Sequence, residues 1–469
     1  MDKGKRLIKN TIIIALGDFF PKIIGLILLP IYTTWLTKYE YGKYDYINSI
    51  ISILLPIITL QIERAVFRFL IDTDDSDKMI IISNGFYFIL FSDILSLTLV
   101  LLVSRLFNIN TNPVLLILII LYFIIRGFIE LARHICRGQS NFKLYSLSIV
   151  IVAVFNLILA PIFLIILKMG LEGLLLVLTI SDCLSFIYVL FKGNLFKKIS
   201  YRYIDRKVII SLLKYSLPLV PNKISEWVVN LSDRLVISAF LGFNMNAVYS
   251  IANKVPSLYS SFYNTFNLAW QESASANSND EDYFKRVFDY LFRFMVFANL
   301  LLISVTPLMY KLFISSQYEN AKIHSLILYY ALFFSSLSSF LGGILIAKKN
   351  TKILGFMTLV AAIINILINL LLVNKIGLFA SSLSTLIAYL VLFLQRYKYV
   401  NDNITEIKLP KKSLFISCII SIIVLLLSYF ESWIHIILSL LFVLIYIRIY
   451  CFDIYKNIVL AIVKRIEKG

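Results

Sequence analysis

Stretches of about twenty predominantly apolar residues recur along the whole chain, and no other property limits its fold so strongly. Twenty residues of α-helix measure about 30 Å, the thickness of a bilayer's hydrocarbon core. The stretches are 11–36, 46–70, 80–105, 114–136, 144–167, 172–192, 211–241, 246–271, 287–313, 323–347, 352–374, 377–396, 413–430 and 433–451, numbered here as spans 1 to 14. The expected fold class is an all-α integral membrane protein with about fourteen transmembrane helices. Composition agrees. Of the 469 residues 59% are hydrophobic and 15% charged, against roughly 45–50% and about 25% in a soluble protein. A soluble fold could not hide so much apolar surface, because packed cores stop growing beyond roughly 250–300 residues. A cytosolic enzyme and a disordered chain are both excluded.

Lys and Arg number 45 and Asp and Glu 27, a formal net charge of +18. In a soluble protein such a surplus points to nucleic acid. Here the cations crowd into alternate loops, as the positive-inside rule requires, and nucleic acid is not an expected partner. Lys3, Lys5, Arg6 and Lys9 precede span 1. Arg137 and Lys143 follow span 4, and Lys197, Lys198, Arg202, Arg206 and Lys207 follow span 6. Lys348, Lys349 and Lys352 follow span 10, Lys398, Lys408, Lys411 and Lys412 follow span 12, and Lys456, Lys464, Arg465 and Lys468 close the chain. Both termini are therefore expected in the cytoplasm. Span 1 reads as a retained helix, since its apolar run continues to about Trp35 with no small-residue cleavage site. The acidic run from Asp72 to Asp77 is the exception among the cytoplasmic loops. It reads as a solvated turn, because no transferase domain surrounds it and acids count little in this rule.

The outer loops are all short, which leaves no room for the chemistry of a polymerase or glycosyltransferase. Cys136, Cys183, Cys418 and Cys451 form no CxxC pair, and His134, His324 and His435 are scattered, so neither a disulfide framework nor a metal site is expected. No P-loop motif occurs.

The two halves of the chain repeat. Leu36 to Tyr44 is echoed by Leu241 to Tyr249, and Asn141 and Lys143 by Asn350 and Lys352. Asn156 and Gly170 are echoed by Asn365 and Gly377, so the offset is about 205–209 residues. Spans 1 and 7 each carry two prolines, Pro21 with Pro30 and Pro218 with Pro221, and Pro56 and Pro256 fall in spans 2 and 8. Such prolines kink helices. Six spans per repeat is an even number, so the repeats are parallel, a common transporter plan with substrate held between the halves. The expected organisation is an N-terminal six-helix lobe at 1–193, a cytoplasmic linker at 194–210 and a C-terminal six-helix lobe at 211–396. A second linker at 397–412, accessory helices 13 and 14 at 413–451 and a cytoplasmic tail at 452–469 complete it.

An ionisable residue at mid-bilayer costs roughly 2.5–3.5 kcal/mol on insertion scales, so it usually faces a protein interior or an aqueous cavity. Span 1 has Asp18 and Lys22, span 2 has Glu63, Arg64 and Arg68, and span 3 has Asp93. Span 4 has Arg126, Glu130, Arg133 and His134, and span 6 has Asp182. Span 7 has Lys223, Glu226, Asp233 and Arg234, and span 8 has Lys254. Lys22, Arg64, Arg68, Arg126, Arg234 and Lys254 are the candidate substrate-binding cations, together a ladder across the membrane. Asp18, Glu63, Asp93, Asp182, Glu226 and Asp233 are candidates for ion coupling or charge pairing, with Asp93 and Asp182 lone and central. Spacing lets Asp18 pair with Lys22, Lys223 with Glu226, and Glu130 with both Arg126 and His134. Helix locking is the plainer reading for Glu130, Arg133 and His134, snorkelling for Arg68, and core packing for Trp227.

With Asn10 to Tyr44, Glu63 to Phe69, Leu231 to Leu235 and Tyr249 to Lys254 on the page, the whole chain resembles the bacterial polysaccharide (oligosaccharide) flippases of the multidrug/oligosaccharidyl-lipid/polysaccharide exporter superfamily. The resemblance implies two six-helix lobes around a central cavity lined by spans 1, 2, 7 and 8, plus two accessory helices. It implies alternating-access transport of an undecaprenyl-diphosphate-linked oligosaccharide to the outer leaflet of the bacterial cytoplasmic membrane, for capsule, O-antigen or teichoic-acid export. Expected partners are that lipid-linked oligosaccharide, membrane lipids, and a polymerase and glycosyltransferases of the same pathway. No catalytic residue, metal or cofactor is expected, and a Na+ or H+ gradient is the candidate driving force. A cationic cavity suits a diphosphate, since Arg offers it bidentate bonds. A lipid II flippase and a multidrug cation antiporter share the plan. The antiporter predicts an acid-dominated cavity, which the cations of spans 2, 7 and 8 oppose.

Overall fold

A computed structural model describes residues 20–74, 77–106, 112–409, 415–416, 419–420, 422–423, 433–446 and 448. Every regular element among them is helical: α1 (Phe20–Trp35), α2 (Lys38–Ile58), α3 (Ile62–Asp72), α4 (Lys78–Leu106), α5 (Pro113–Gly138), α6 (Phe142–Ala160), α7 (Gly170–Lys192), the single turn α8 (Leu195–Lys198), α9 (Arg206–Ser216), α10 (Leu219–Phe240), α11 (Phe243–Ala276), α12 (Glu281–Phe313), α13 (Ala321–Ala347), α14 (Thr351–Ile376), α15 (Leu378–Asn403) and α16 (Trp433–Tyr446). A π-helical turn, Pro161–Ile166, extends α6. Eight of these helices are long and apolar enough to cross a membrane, nine if α2 and α3 form one bent span. Helices α10 and α11, which correspond to spans 7 and 8, are more polar. Asp18, both terminal tails and most of span 13 lie outside the described residues.

Two spans depart from expectation. Span 2 is two helices, α2 and α3, bent by 54° at a short break. Pro56 has no N–H to offer the carbonyl of Ser52, and Leu60 and Gln61 then turn left-handed at φ 50° and 55°, at a cost of about 1–2 kcal/mol per residue. The helix also begins eight residues earlier than the hydropathy window (Lys38 against 46). A capping box starts it there: Thr37 Oγ1 accepts from the Glu40 amide at 3.2 Å, and Glu40 Oε2 accepts from the Thr37 amide at 2.9 Å. Span 7 breaks at Leu217 and Pro218 into α9 and α10.

The described residues form two compact units, one running to Ser238 and including Gly242–Ala247, the other Ala239–Leu241 with the chain from Val248. In the first, α7 packs on α5 and α6, and α3 packs on α5. Its core joins Ile62, Val66, Ile82, Ile129, Val189 and Leu212. Residues 194–205 are strapped to the start of α4. Asn84 Nδ2 donates to the Tyr203 carbonyl at 2.8 Å, and Asn84 Oδ1 accepts from the Asp205 amide at 2.9 Å. Ser83 Oγ donates to the Lys198 carbonyl and accepts from the Ser200 amide. In the second unit α15 packs on both α13 and α14. There Trp270 stacks on Phe340 with ring centroids 4.1 Å apart and donates Nε1–H to the Phe340 carbonyl.

The repeat survives in local geometry. Helix α5 ends in a turn in which Ser140 has φ 57°, its amide bonds to the Arg137 carbonyl at 2.9 Å, and the Asn141 amide bonds to that of Cys136 at 2.8 Å. Helix α13 ends identically, with Lys349 at φ 61°, its amide on Ile346 at 2.9 Å, and the Asn350 amide on Leu345 at 2.8 Å. Both are Schellman caps, which satisfy the last carbonyls of a helix. Gly170 and Gly377 then open α7 and α15 at φ 56° and 60°, a conformation that glycine adopts at least cost.

Candidate functional site

Helix α5 carries Arg126, Glu130, Arg133, His134 and Arg137, and steps of four, three, one and three residues put them on one face. Arg126 Nη1 meets Asp182 Oδ2 of α7 at 3.2 Å; the aspartate side chain is 2% exposed and the arginine 34%. The Arg126 guanidinium also lies 5.9 Å from the Tyr122 ring, within cation–π range. One turn on, Glu130 pairs with Arg133 at 3.2 Å, and Arg133 Nε donates to Ser148 Oγ at 3.3 Å. His134 Nδ1 is 2.9 Å from the Glu130 carbonyl, and Arg137 sits 4.8 Å over Phe67. Sequence spacing joins Glu130 to Arg126 and leaves Asp182 alone. Instead, Arg126 reaches across to Asp182 and Glu130 turns to Arg133.

A second cluster joins α2, α10 and the start of α11. Arg234 Nε pairs with Asp45 Oδ2 at 2.9 Å, both side chains nearly buried. Asn246 Nδ2 donates to the Gly42 carbonyl at 2.9 Å and to Asp45 Oδ2 at 3.4 Å. Gly42 is required here, since a Cβ would come 1.8 Å from the Phe243 carbonyl oxygen. Trp227 is 7% exposed and donates to the Ser49 carbonyl and Ser52 Oγ, as a packed core residue does.

The other predicted residues scatter. Lys22 on α1 is half-buried. Arg64 on α3 is also half-buried, and among the described residues it makes no ion pair. Arg68 is exposed and pairs with Asp72. Glu63 Oε2 accepts from Thr59 Oγ1 at 3.2 Å. Glu226 pairs with Lys223 at 3.1 Å, well exposed. Asp233 is 2% exposed on α10. Asp93 is 3% exposed, and neither of its carboxylate oxygens has a hydrogen-bond partner among the described residues. Lys254 is half-buried in α11, within the second unit.

Sequence reasoning missed two groups. Asp45 falls one residue before the span 2 window, although the capping box at Thr37 and Glu40 marks it as helical. In the second unit Asn365 and Asn369 of α14, both fully buried, meet α15. Asn365 Nδ2 donates to Thr385 Oγ1 at 3.3 Å, and Ser381 Oγ donates to Asn369 Oδ1 at 2.9 Å. Two asparagines one turn apart in an apolar span were the available signal. Among the described residues no group of three or more His, Cys, Asp or Glu is placed to hold a metal ion.

This arrangement of helices is that of a known transporter class. A solved lipid II flippase, MurJ in an inward closed conformation, is 17% identical with a TM-score of 0.73, over 96% of this chain and 100% of that one. An inward-facing multidrug resistance MATE family transporter of the MOP superfamily is 15% identical with a TM-score of 0.62, over 83% and 95%. A MOP superfamily transporter from Pyrococcus furiosus Vc1, described as having a binding pocket of reverse polarity, is 14% identical with a TM-score of 0.57, over 84% and 96%. The chain is thus a multi-pass membrane protein with the MOP superfamily fold. No curated protein sequence matches it. The sequence pattern of the polysaccharide biosynthesis protein family matches residues 7–271, more than half of the chain, and the chain belongs to that family.

Proposed function

We propose that this protein is a flippase that carries an undecaprenyl-diphosphate-linked oligosaccharide from the cytoplasmic to the outer leaflet by alternating access. The observation that carries the reading is the union of a polysaccharide-biosynthesis family with a transporter fold. The chain would move its substrate without transforming it, in the bacterial cytoplasmic membrane with both termini inside. A polymerase and glycosyltransferases of the same pathway would work beside it, and a Na+ or H+ gradient is the candidate driving force. Arg64 is the first choice for the diphosphate, being half-buried and outside any ion pair among the described residues. Arg126 and Arg234 would have to exchange Asp182 and Asp45 for phosphate oxygens, a like-for-like swap of one anion for another. With the N-terminus in the cytoplasm, the Gly42, Asp45, Arg234 and Asn246 cluster lies at the outer ends of its helices.

The test is translocation in proteoliposomes with three cargoes: a lipid-linked oligosaccharide, lipid II and a lipophilic cationic drug. Movement of the first, lost in Arg64→Gln, is expected. Movement of lipid II alone or of the drug alone would replace this reading with the corresponding alternative.

A further inference from the structure

The chain that follows α7 is held in one shape. Helix α8, a 3-10 turn at Tyr201–Tyr203 and α9 succeed one another, and Ser83 and Asn84 tie residues 198–205 to α4 through four hydrogen bonds. Lys198 Nζ adds a bond to Gln139 Oε1 at 3.2 Å. Leu195 and Leu212 are buried beneath, and α9 packs on α3 and α4. The other side of the segment is left open. Lys192, Lys197, Arg202, Arg206, Lys207 and Lys214 are exposed, and among the described residues none of them makes an ion pair. Asp205, the single acid from Phe191 to Leu217, caps α9 by accepting from the Lys207 amide at 2.8 Å. Between the cations stand exposed rings. Phe191 is 65% exposed and Phe196 56%, with ring centroids 5.0 Å apart. Tyr201 is 68% exposed, and the Arg202 guanidinium lies 5.9 Å from its ring. On α9, Lys207, Ile210 and Lys214 follow at steps of three and four, so they share a face.

Water suits these cations but not the rings, and hydrocarbon suits the rings but not the cations. The headgroup layer of a bilayer suits both, because aromatic rings settle at that depth and lipid phosphates supply the missing anions. The surface also begins where it would meet that layer, since α7 is long and apolar enough to span a membrane and ends at Lys192. A loose basic loop loses conformational freedom when it binds, whereas this segment is already ordered by its tie to α4. We infer that the surface from Phe191 to Leu217 binds anionic phospholipid headgroups, with Arg202, Arg206 and Lys207 on the phosphates and Phe191, Phe196 and Tyr201 seated at the level of the glycerol. It uses none of the cations assigned to the diphosphate, so loss of lipid binding and loss of flipping are separate results.

The experiment is native mass spectrometry of the purified full chain, titrated with dioleoyl-phosphatidylglycerol and in parallel with the zwitterionic dioleoyl-phosphatidylcholine. The wild type binds the anionic lipid at least tenfold more tightly. The triple variant Arg202→Gln, Arg206→Gln, Lys207→Gln replaces exposed side chains only, and it loses that preference while keeping its affinity for phosphatidylcholine. A second triple variant, Lys348→Gln, Lys349→Gln, Lys352→Gln, removes the same charge after α13 and keeps the preference. Phe196→Ser with Tyr201→Ser weakens binding of both lipids at least threefold. Glycerol 3-phosphate, the same phosphate without acyl chains, competes less than a tenth as well as phosphatidylglycerol. A wild type without preference overturns the inference, as does an unchanged preference in the first triple variant. Equal losses in the two triple variants overturn it too, since net charge alone would then account for the binding. Equal competition by glycerol 3-phosphate would make the surface a site for a soluble phosphate instead.

Discussion

The pair formed by Arg126 and Asp182 gives a prediction whose two halves differ in size. The contact is 3.2 Å, with Asp182 2% exposed and Arg126 34% exposed. Removing one member of a buried ion pair typically costs about 3–5 kcal/mol, because the other charge is left stranded away from water. Arg126→Met strands Asp182, which has almost no access to solvent, so the full cost of about 3–5 kcal/mol is expected. Asp182→Asn strands Arg126, but a third of that side chain is exposed, so solvent screens part of its charge. Its cost should fall to about 1–2 kcal/mol. The double variant Arg126→Met with Asp182→Leu buries no charge, and it should be more stable than Arg126→Met alone. The measurement is reversible denaturant unfolding in mixed micelles, arranged as a double-mutant cycle. If Asp182→Asn proved the costlier change, or if the double variant lost the sum of the singles, the pair would not be the buried contact described here.

Two further substitutions test the packing. Gly42→Ala would place a Cβ 1.8 Å and 2.6 Å from the backbone oxygen and carbon of Phe243, and overpacking of this kind costs about 1–3 kcal/mol. Gly25→Ala on α1 meets nothing within 4 Å, so the same unfolding assay should find it neutral or stabilising. Asn84→Leu should free the strap at Tyr203 and Asp205. Two lost bonds of roughly 1 kcal/mol each predict about thirtyfold faster hydrogen exchange at the Asp205 amide, and an unchanged rate would mean that the strap is held elsewhere.

The architecture was readable wherever one physical constraint acts alone. Burial in lipid sets the apolar windows, and α13 and α14 fall within two residues of where hydropathy puts them, while α12 begins six residues early and α15 runs seven residues past its window. Where local chemistry competes with hydropathy, the windows mislead. Leu60 is apolar, yet it sits left-handed between α2 and α3, and no glycine marks the break. Side-chain partners were the hardest to read. Spacing on one helix offers Arg126 to Glu130, four residues away, while the actual partner is 56 residues along the chain on α7. Asp45 and Arg234 lie farther apart still. Such pairs depend on how helices pack, which helical periodicity does not encode.

The matching caps of α5 and α13 fix a register of 209 residues, from Asn141 to Asn350. In that register Arg126, Glu130, Arg133 and His134 correspond to Ser335, Ser339, Gly342 and Gly343. The face that projects charge in the first copy is hollow in the second, and large side chains have moved into the hollow. A Cβ on Gly343 would strike Trp270 Nε1 at 2.4 Å, and one on Gly342 would come within 2.9 Å of Arg396 Nη1. The copies have therefore diverged past interchange. A graft of α5 in place of α13 would expel the Trp270 ring, and a graft of α13 in place of α5 would leave Asp182 facing a serine. Whatever duplication founded this chain, its descendants now divide the labour, one copy holding charge and the other holding aromatic bulk.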